Sequence, residues 1–182
     1  MSSRKEAPIL QDGGELRLNP ILNYHINIVI KTIQIKLLPD ERQKEALIET
    51  FARFNDACNF ASRIVFERNP DNKIFLQKIV YSEIREKFGL AAQLAIRAIA
   101  KVVETYKADK TSFHGFRDFG SIVYDQRTLS FKGMDRVSIS TTNGRIRIPI
   151  TIEKYCETPF ERIRGQCDLV RKNKMFYLHG CR

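Results

Sequence analysis

The sequence predicts an α+β fold in which three helices interrupt a β-barrel-like sheet, and three observations carry that expectation. Residues 31–38 alternate apolar and polar side chains, residues 40–107 carry helical periodicity, and the chain after Lys110 returns to a period of two. A lone strand is not stable, so the first must pair with strands that come after the helices. Helices and sheet are then segregated, which defines the class.

In the first strand Ile33, Ile35 and Leu37 share one face, with Thr32, Gln34 and Lys36 on the other. Pro39-Asp40 opens a helix whose first turns hold Asp40, Glu41 and Glu45 near its positive end. Leu47, Phe51, Phe54, Cys58, Ala61 and Val65 follow at spacings of three and four, one apolar stripe that runs to Asn69-Pro70-Asp71. A second helix over about 72–88 buries Ile79, Val80 and Ile84 and stops at Gly89. A third, over about 90–107, packs Ala95, Ile99, Val102 and Tyr106. Arg97 and Lys101, four apart, project together from another face; by itself such a pair reads as a solvated helix side.

Beyond Lys110, residues 121–125, 128–131, 135–141 and 144–152 read as short strands. Asn143-Gly144 is the favoured pair for a tight hairpin in which both central residues take positive φ. In the strand after it Ile146, Ile148, Ile150 and Ile152 face inward, and Arg145 and Arg147 face out. A helix or loop spans 154–164, and strands over 167–171 and 175–179 are joined by Lys172-Asn173-Lys174. The first thirty residues, with Gly13-Gly14 and Pro20 and no clear period, read as a poorly ordered leader.

With 182 residues, 43% of them hydrophobic, a core can form without disulfides or metals. The four cysteines, Cys58, Cys156, Cys167 and Cys181, contain no close pair, which speaks against a zinc ribbon. No stretch reads as a secretory leader or a membrane span, so a reduced, cytoplasmic setting is expected. The net charge of +10, with a pI near 9.6, attracts polyanions and points to nucleic acid ahead of simple solubility. Residues 1–30 are neutral, so the excess sits on the expected folded elements.

Chemistry-bearing motifs are sparse. His25, His114 and His179 lie far apart, and no phosphate-cradling glycine loop, nucleophile elbow or HExxH is present. Asp125, Asp135 and Asp168 fall near strand ends or turns, where Asp is common for conformational reasons. More informative is the run His114, Phe116, Arg117 and Phe119, which interleaves aromatics with a cation ahead of Arg127, Lys132 and Arg136. Rings can stack on bases while cations hold phosphates. The equally open reading makes Phe113, Phe116 and Phe119 hydrophobic anchors of a loop.

Several stretches resemble the N-terminal half of TnpB-type proteins, the OrfB transposases of insertion sequences, related to type V CRISPR effectors. They are KTIQIKLLPDERQ (31–43), FNDACNFAS (54–62), LQKIVYSEIREKFGLAAQLAIRAIAKVVETYK (76–107), FRDFGSIVYDQRTLSFKGMDRVSISTTNGRIRIP (116–149) and CDLVRKNKMFYLHG (167–180). They occur in family order and span nearly all of residues 31–180; the leader over 1–30 has no counterpart.

The resemblance implies a split wedge-type β-barrel with a three-helix recognition insertion. Residues 31–39 would be the first barrel strand, 40–109 the helical insertion and 110–182 the remaining barrel. Full-length members resemble RNA-guided, Mg2+-dependent DNA endonucleases with a RuvC-like domain and a structural zinc finger. This sequence closes at Gly180-Cys181-Arg182, before that nuclease half. The implied partners are a guide RNA and double-stranded DNA, bound without cutting, with no catalytic residue, metal ligand or cofactor in this chain and no membrane. Carried-over contact candidates are Gln77, Gln93 and Arg97 near the adjacent-motif duplex. Lys36, Arg117, Arg127, Lys132, Arg145 and Arg147 are candidates for RNA and heteroduplex backbone. Beside Arg97, Lys101 also becomes a phosphate-contact candidate. A bacterial or archaeal cytoplasm, near the nucleoid, is the implied location, and self-association is expected through an edge exposed by truncation. The alternatives are a transposase or nuclease component that works with a missing catalytic half, and the product of a decayed element.

Overall fold

The computed structural model describes residues 32–68, 73–152 and 166–181. The expected leader over 1–30, the end of the first helix at Asn69-Pro70-Asp71, and the helix or loop over 154–164 lie outside the described residues.

Strand β1 (Thr32–Leu37) buries Ile35 and Leu37 and turns Gln34 outward, as its alternation requires. Helix α1 (Glu41–Arg68) begins with a reciprocal cap. The Gln43 N–H donates to the Asp40 carboxylate at 2.8 Å, and the Asp40 N–H donates to Gln43 Oε1 at 3.2 Å. All six members of its expected apolar stripe, from Leu47 to Val65, are buried. Helix α2 (Lys73–Phe88) buries Leu76, Val80 and Ile84, and Gly89 follows at φ +61°. Helix α3 (Ala92–Ala108) is the most thoroughly covered, with Leu94, Ala95, Ala98, Ile99, Val102 and Tyr106 inside. Ala57 and Ala61 on α1 and Ala95 and Ala98 on α3 are fully buried, and such small side chains let α1 and α3 pack closely.

Strands β2 (Ile122–Tyr124), β3 (Leu129–Lys132), β4 (Arg136–Thr141), β5 (Gly144–Ile152), β6 (Cys167–Lys172) and β7 (Met175–Cys181) complete a seven-stranded sheet. Its order is β2-β6-β7-β1-β5-β4-β3, and every pairing is antiparallel. The first strand therefore lies in the middle of the sheet, between β7 and β5, although the three helices separate it in sequence from all its partners. The sheet is nearly closed. Tyr124, entirely buried at the end of β2, donates its hydroxyl to the Ser140 carbonyl of β4 at 2.8 Å, and the Ser140 N–H donates to the Thr128 carbonyl at 2.9 Å. These bonds draw the two end strands together through the 125–128 turn. Across one mouth of this barrel-like sheet α1 inserts Phe51, whose ring stacks on Phe176 of β7 with centroids 6.3 Å apart. Helices and sheet thus share one hydrophobic core.

Two expectations are corrected. Thr141 pairs with Gly144, so the central turn residues are Thr142 and Asn143, and of the expected Asn143-Gly144 pair only Gly144 has positive φ, at +100°. The turn with two positive-φ residues is the next hairpin, at Asn173 (+52°) and Lys174 (+62°), where Lys172 pairs with Met175. Nor is β7 an exposed edge: it is hydrogen-bonded on both sides, by β6 and by β1, because β1 fills the place beside it. Among the described residues, no helix is long and apolar enough to cross a membrane.

Candidate nucleic-acid interface

The densest cluster of candidate residues lies on the outer face of β3, β4 and β5. Register places Arg147 opposite Ser138 and Ser138 opposite Ser130; one row on, Pro149 faces Arg136 and Arg136 faces Lys132. Arg145 faces Ser140. Side chains on one face of a strand repeat every second residue, so these rows, with their cations exposed and Ser138 buried at 3% exposure, share one face. Lys36 continues it across β1, opposite Thr151 and Tyr177. Lys132, Arg136, Arg145 and Arg147 are exposed. The Lys132–Arg136 pair sets two like charges directly across the ladder, an arrangement that costs stability. Asp135, itself exposed, offsets it only through a 3.5 Å contact with Arg136.

Arg145 is held more firmly. Its guanidinium lies across the face toward Ser138 and Ser130 and donates to the Arg127 carbonyl at 2.6 Å. Arg145 and Arg147 also border a cleft of about 700 Å³ against the first turns of α1, where Arg42 joins them. Asp40, Glu45 and Glu49 lie in the same cleft, but Asp40 is occupied in capping α1, and Glu49 takes Arg53 at 2.5 Å and Asn143 at 2.7 Å.

A second group forms where α3 meets the β2–β3 turn. Gln93, Arg97 and Arg127, with Gln126 and Gln166, line an open cleft of about 480 Å³ around Asp125. Asp125 organises it. One carboxylate oxygen accepts from the Gln93 amide at 2.7 Å and from two nitrogens of Arg97, at 3.1 and 2.6 Å. The other accepts from the Arg127 and Thr128 N–H groups and the Thr128 hydroxyl. Burial acts to raise the Asp125 carboxyl, but the bonds from Arg97, Gln93 and Thr128, with the guanidinium charge, outweigh it and hold the group at about 2. Asp125 thus has the conformational role its place in a turn suggests, and it also ties the turn to α3.

The Arg97–Lys101 pair is accordingly not the solvated face that its spacing suggests. Arg97 is 19% exposed and ion-paired with Asp125. Lys101 donates to the Ser121 carbonyl and lies 5.7 and 5.3 Å from the ring centres of Phe54 and Phe116. Burial lowers its ammonium from the ordinary lysine range, against the pull of Cys58 and Asp168. Both cations hold α3 to the β2 end of the sheet. A four-residue spacing shows that two side chains share a helix face, not what that face packs against.

Arg117 sits elsewhere, on the 113–120 loop, which a polar stripe on α1 receives. Ser62 Oγ donates to the His114 carbonyl; Asn59 accepts from the Phe116 N–H at 2.7 Å and donates to its carbonyl at 2.9 Å; Asn55 donates to the carbonyls of Asp118 and Gly120. Of the three aromatics, Phe116 packs against the core, Phe119 is part-exposed but sets its ring against the buried Phe51 at 6.0 Å, and Phe113 remains exposed. The anchor and ring-platform readings therefore divide among them. Gln77 lies apart from the other candidates, on the outer side of α2 beside Ile74, Lys78 and Tyr81.

Sequence reasoning named Arg136 only among the cations that follow the 114–119 run, and it did not select Arg42, Gln126 or Gln166 as contact candidates. Arg136 carried a usable signal, since it lies in the same outward phase of its strand as the hydroxyls of Ser138 and Ser140. Arg42, Gln126 and Gln166 reach their clefts only through tertiary packing. Among the described residues, no group of three or more His, Cys, Asp or Glu side chains is placed to hold a metal ion. No protein-family model matches the chain, and no curated protein matches it.

Proposed function

We propose that this chain is a nucleic-acid-binding unit that grips phosphate backbone through the outer face of β3–β5 and does not cut. The observation that carries the reading is the register of that face. It aligns Lys132 with Arg136 and sets Arg145 and Arg147 on the same face, a row of exposed cations of the kind that contact phosphate. A like-charge pair across a ladder is costly in the free protein and is relieved when a polyanion lies over it. The net charge of +10 acts in the same direction over longer range. The cleft around Asp125 adjoins this face through the Arg145–Arg127 bond; Asp125 takes up Gln93 and Arg97, and the exposed Gln126, Arg127 and Gln166 supply the amides and guanidinium suited to base edges.

The finer reading follows the resemblance to TnpB-type proteins. The sheet would be their wedge-type barrel, the three helices their recognition insertion, and the ligands a structured guide RNA and duplex DNA. Catalysis, with its Mg2+ and the zinc finger, would belong to a nuclease half outside this chain.

Fluorescence anisotropy against a structured RNA and a DNA duplex at several salt concentrations tests the proposal. The unaltered chain should show a steep salt dependence, and an Arg145→Ala/Arg147→Ala double variant should bind both ligands more weakly. On duplex DNA its slope of log K against log salt should be shallower by about 0.9 for each phosphate it no longer neutralises. Salt-independent binding, or a double variant indistinguishable from the parent, would refute it.

A further inference from the structure

Phe66, in the last turn of α1, is 49% exposed, and Phe113, in the loop after α3, is 47% exposed. Their rings meet edge-on, with centroids 5.9 Å apart and planes at 78°. An edge-to-face pair occupies one face of one ring, and each of these residues keeps about half of its surface exposed. Exposed aromatic faces on the end of a floppy loop would mean little, but this support is stiff. The next residue, His114, is fixed by its carbonyl to Ser62, by its ring nitrogen to the Asp109 carbonyl at 2.8 Å, and by its ring against Tyr106 at 4.7 Å. Exposed cations flank the pair: Arg63 lies one turn back on the same side of α1, and Lys110 precedes Phe113 in the loop. The neighbouring Asp109 carboxylate is taken up by Thr111 and Ser112.

The loop then runs back along α1 from its Ser62 anchor to its Asn55 anchor, about 10 Å at the rise of a helix, and ends at the 41%-exposed Phe119. There the Phe119 ring packs on the buried Phe51, with centroids 6.0 Å apart, beneath the Arg171 guanidinium, 4.1 Å from its centre. Phe119 and Arg171 thus close this end of the path, and the exposed Arg117 lies between the two ends. That span matches about three stacked bases.

We infer that the Phe66–Phe113 pair and the loop leading to Phe119 form a stacking track for unpaired nucleotides of a single strand, with Arg63, Lys110 and Arg117 on its phosphates. The inference rests on the nucleic-acid reading above and adds a strand type and a second surface, separate from the duplex-sized face of β3–β5. Open ring faces beside cations suit bases and phosphates together, whereas an apolar protein face or a neutral lipid surface would leave those cations unmatched.

The chain contains no tryptophan, so Phe113→Trp provides a single reporter. Its emission should quench saturably on titration with a single-stranded oligonucleotide and not with a duplex of equal length. Phe113→Leu keeps an apolar side chain but removes the ring. It should lower single-strand affinity about fivefold or more, with duplex affinity and thermal unfolding unchanged. If the unaltered chain binds the single strand but Phe113→Leu binds it equally, or the tryptophan does not respond, the track is overturned while the nucleic-acid reading stands. If the unaltered chain binds no nucleic acid, both fall. A tryptophan response to protein concentration or to neutral lipid vesicles, without oligonucleotide, would assign the face to another partner and overturn the inference.

Discussion

Replacing Asp125 with Asn removes one charge and little volume, and its cost can be worked from the structure. The carboxylate side chain is only 14% exposed, and six donor contacts converge on it from Gln93, Arg97, Arg127 and Thr128. Its carboxyl is held at about 2 against an ordinary 3.8, and each unit corresponds to about 1.4 kcal/mol, so the ionised form contributes roughly 2 kcal/mol. The folded value is the depressed one. The contribution is therefore complete above pH 3.8 and is lost as pH falls toward 2. In Asp125→Asn the new amide donors would also face the donors of Gln93 or Arg97, so the loss at pH 7 should be about 2–3 kcal/mol. For a chain of this size that is a fall in Tm of about 5–10 °C. Urea unfolding followed by circular dichroism, at pH 7 and through pH 5 to 2, measures both effects. The two stability curves should converge as pH falls below 4, because only the parent has this contribution to lose. Coincident unfolding curves at pH 7, or a stability gap that persists undiminished at pH 2, would refute the reasoning.

Three further outcomes follow from named contacts. Asn59→Ala removes both bonds to the Phe116 backbone and should cost about 1–3 kcal/mol, with faster tryptic cleavage at Arg117; an unchanged digestion rate would count against the α1 latch. Gly120→Ala would bring a methyl group within 2.8 Å of Asn55 Oδ1 and 3.2 Å of the Arg117 carbonyl, and a loss of about 1–3 kcal/mol is expected from urea unfolding. A variant as stable as the parent would mean that the loop yields freely. Burial pushes the Cys58 thiol up to about 12 in spite of the Lys101 charge, so it should resist iodoacetamide at pH 8 in the native protein and be labelled in guanidinium. Equal labelling in both states, read by peptide mass spectrometry, would contradict its burial.

Local patterns determined much of this molecule. The α1 stripe, the inward Ile148 and Ile150 and the outward Arg145 and Arg147 follow directly from periods of 3.6 and two, because a side chain's direction along a helix or strand is set by backbone geometry alone. The α+β class and the partnership of β1 with later strands were legible for the same reason, together with the instability of an isolated strand. Tertiary structure decided which face meets which neighbour. It placed β1 between β5 and β7, so the closing strand has no open edge. It turned Arg97 and Lys101 from a solvated pair into fastenings, since Asp125 and Ser121 arrive from a turn and a loop distant in sequence. Asn55, Asn59 and Ser62 did carry a sequence signal, a polar line at helical spacing amid apolar residues, but nothing local says that the 113–120 loop would satisfy it. Periodicity specifies direction; only the closed packing of distant segments specifies the partner, and with it which cations remain exposed for a ligand.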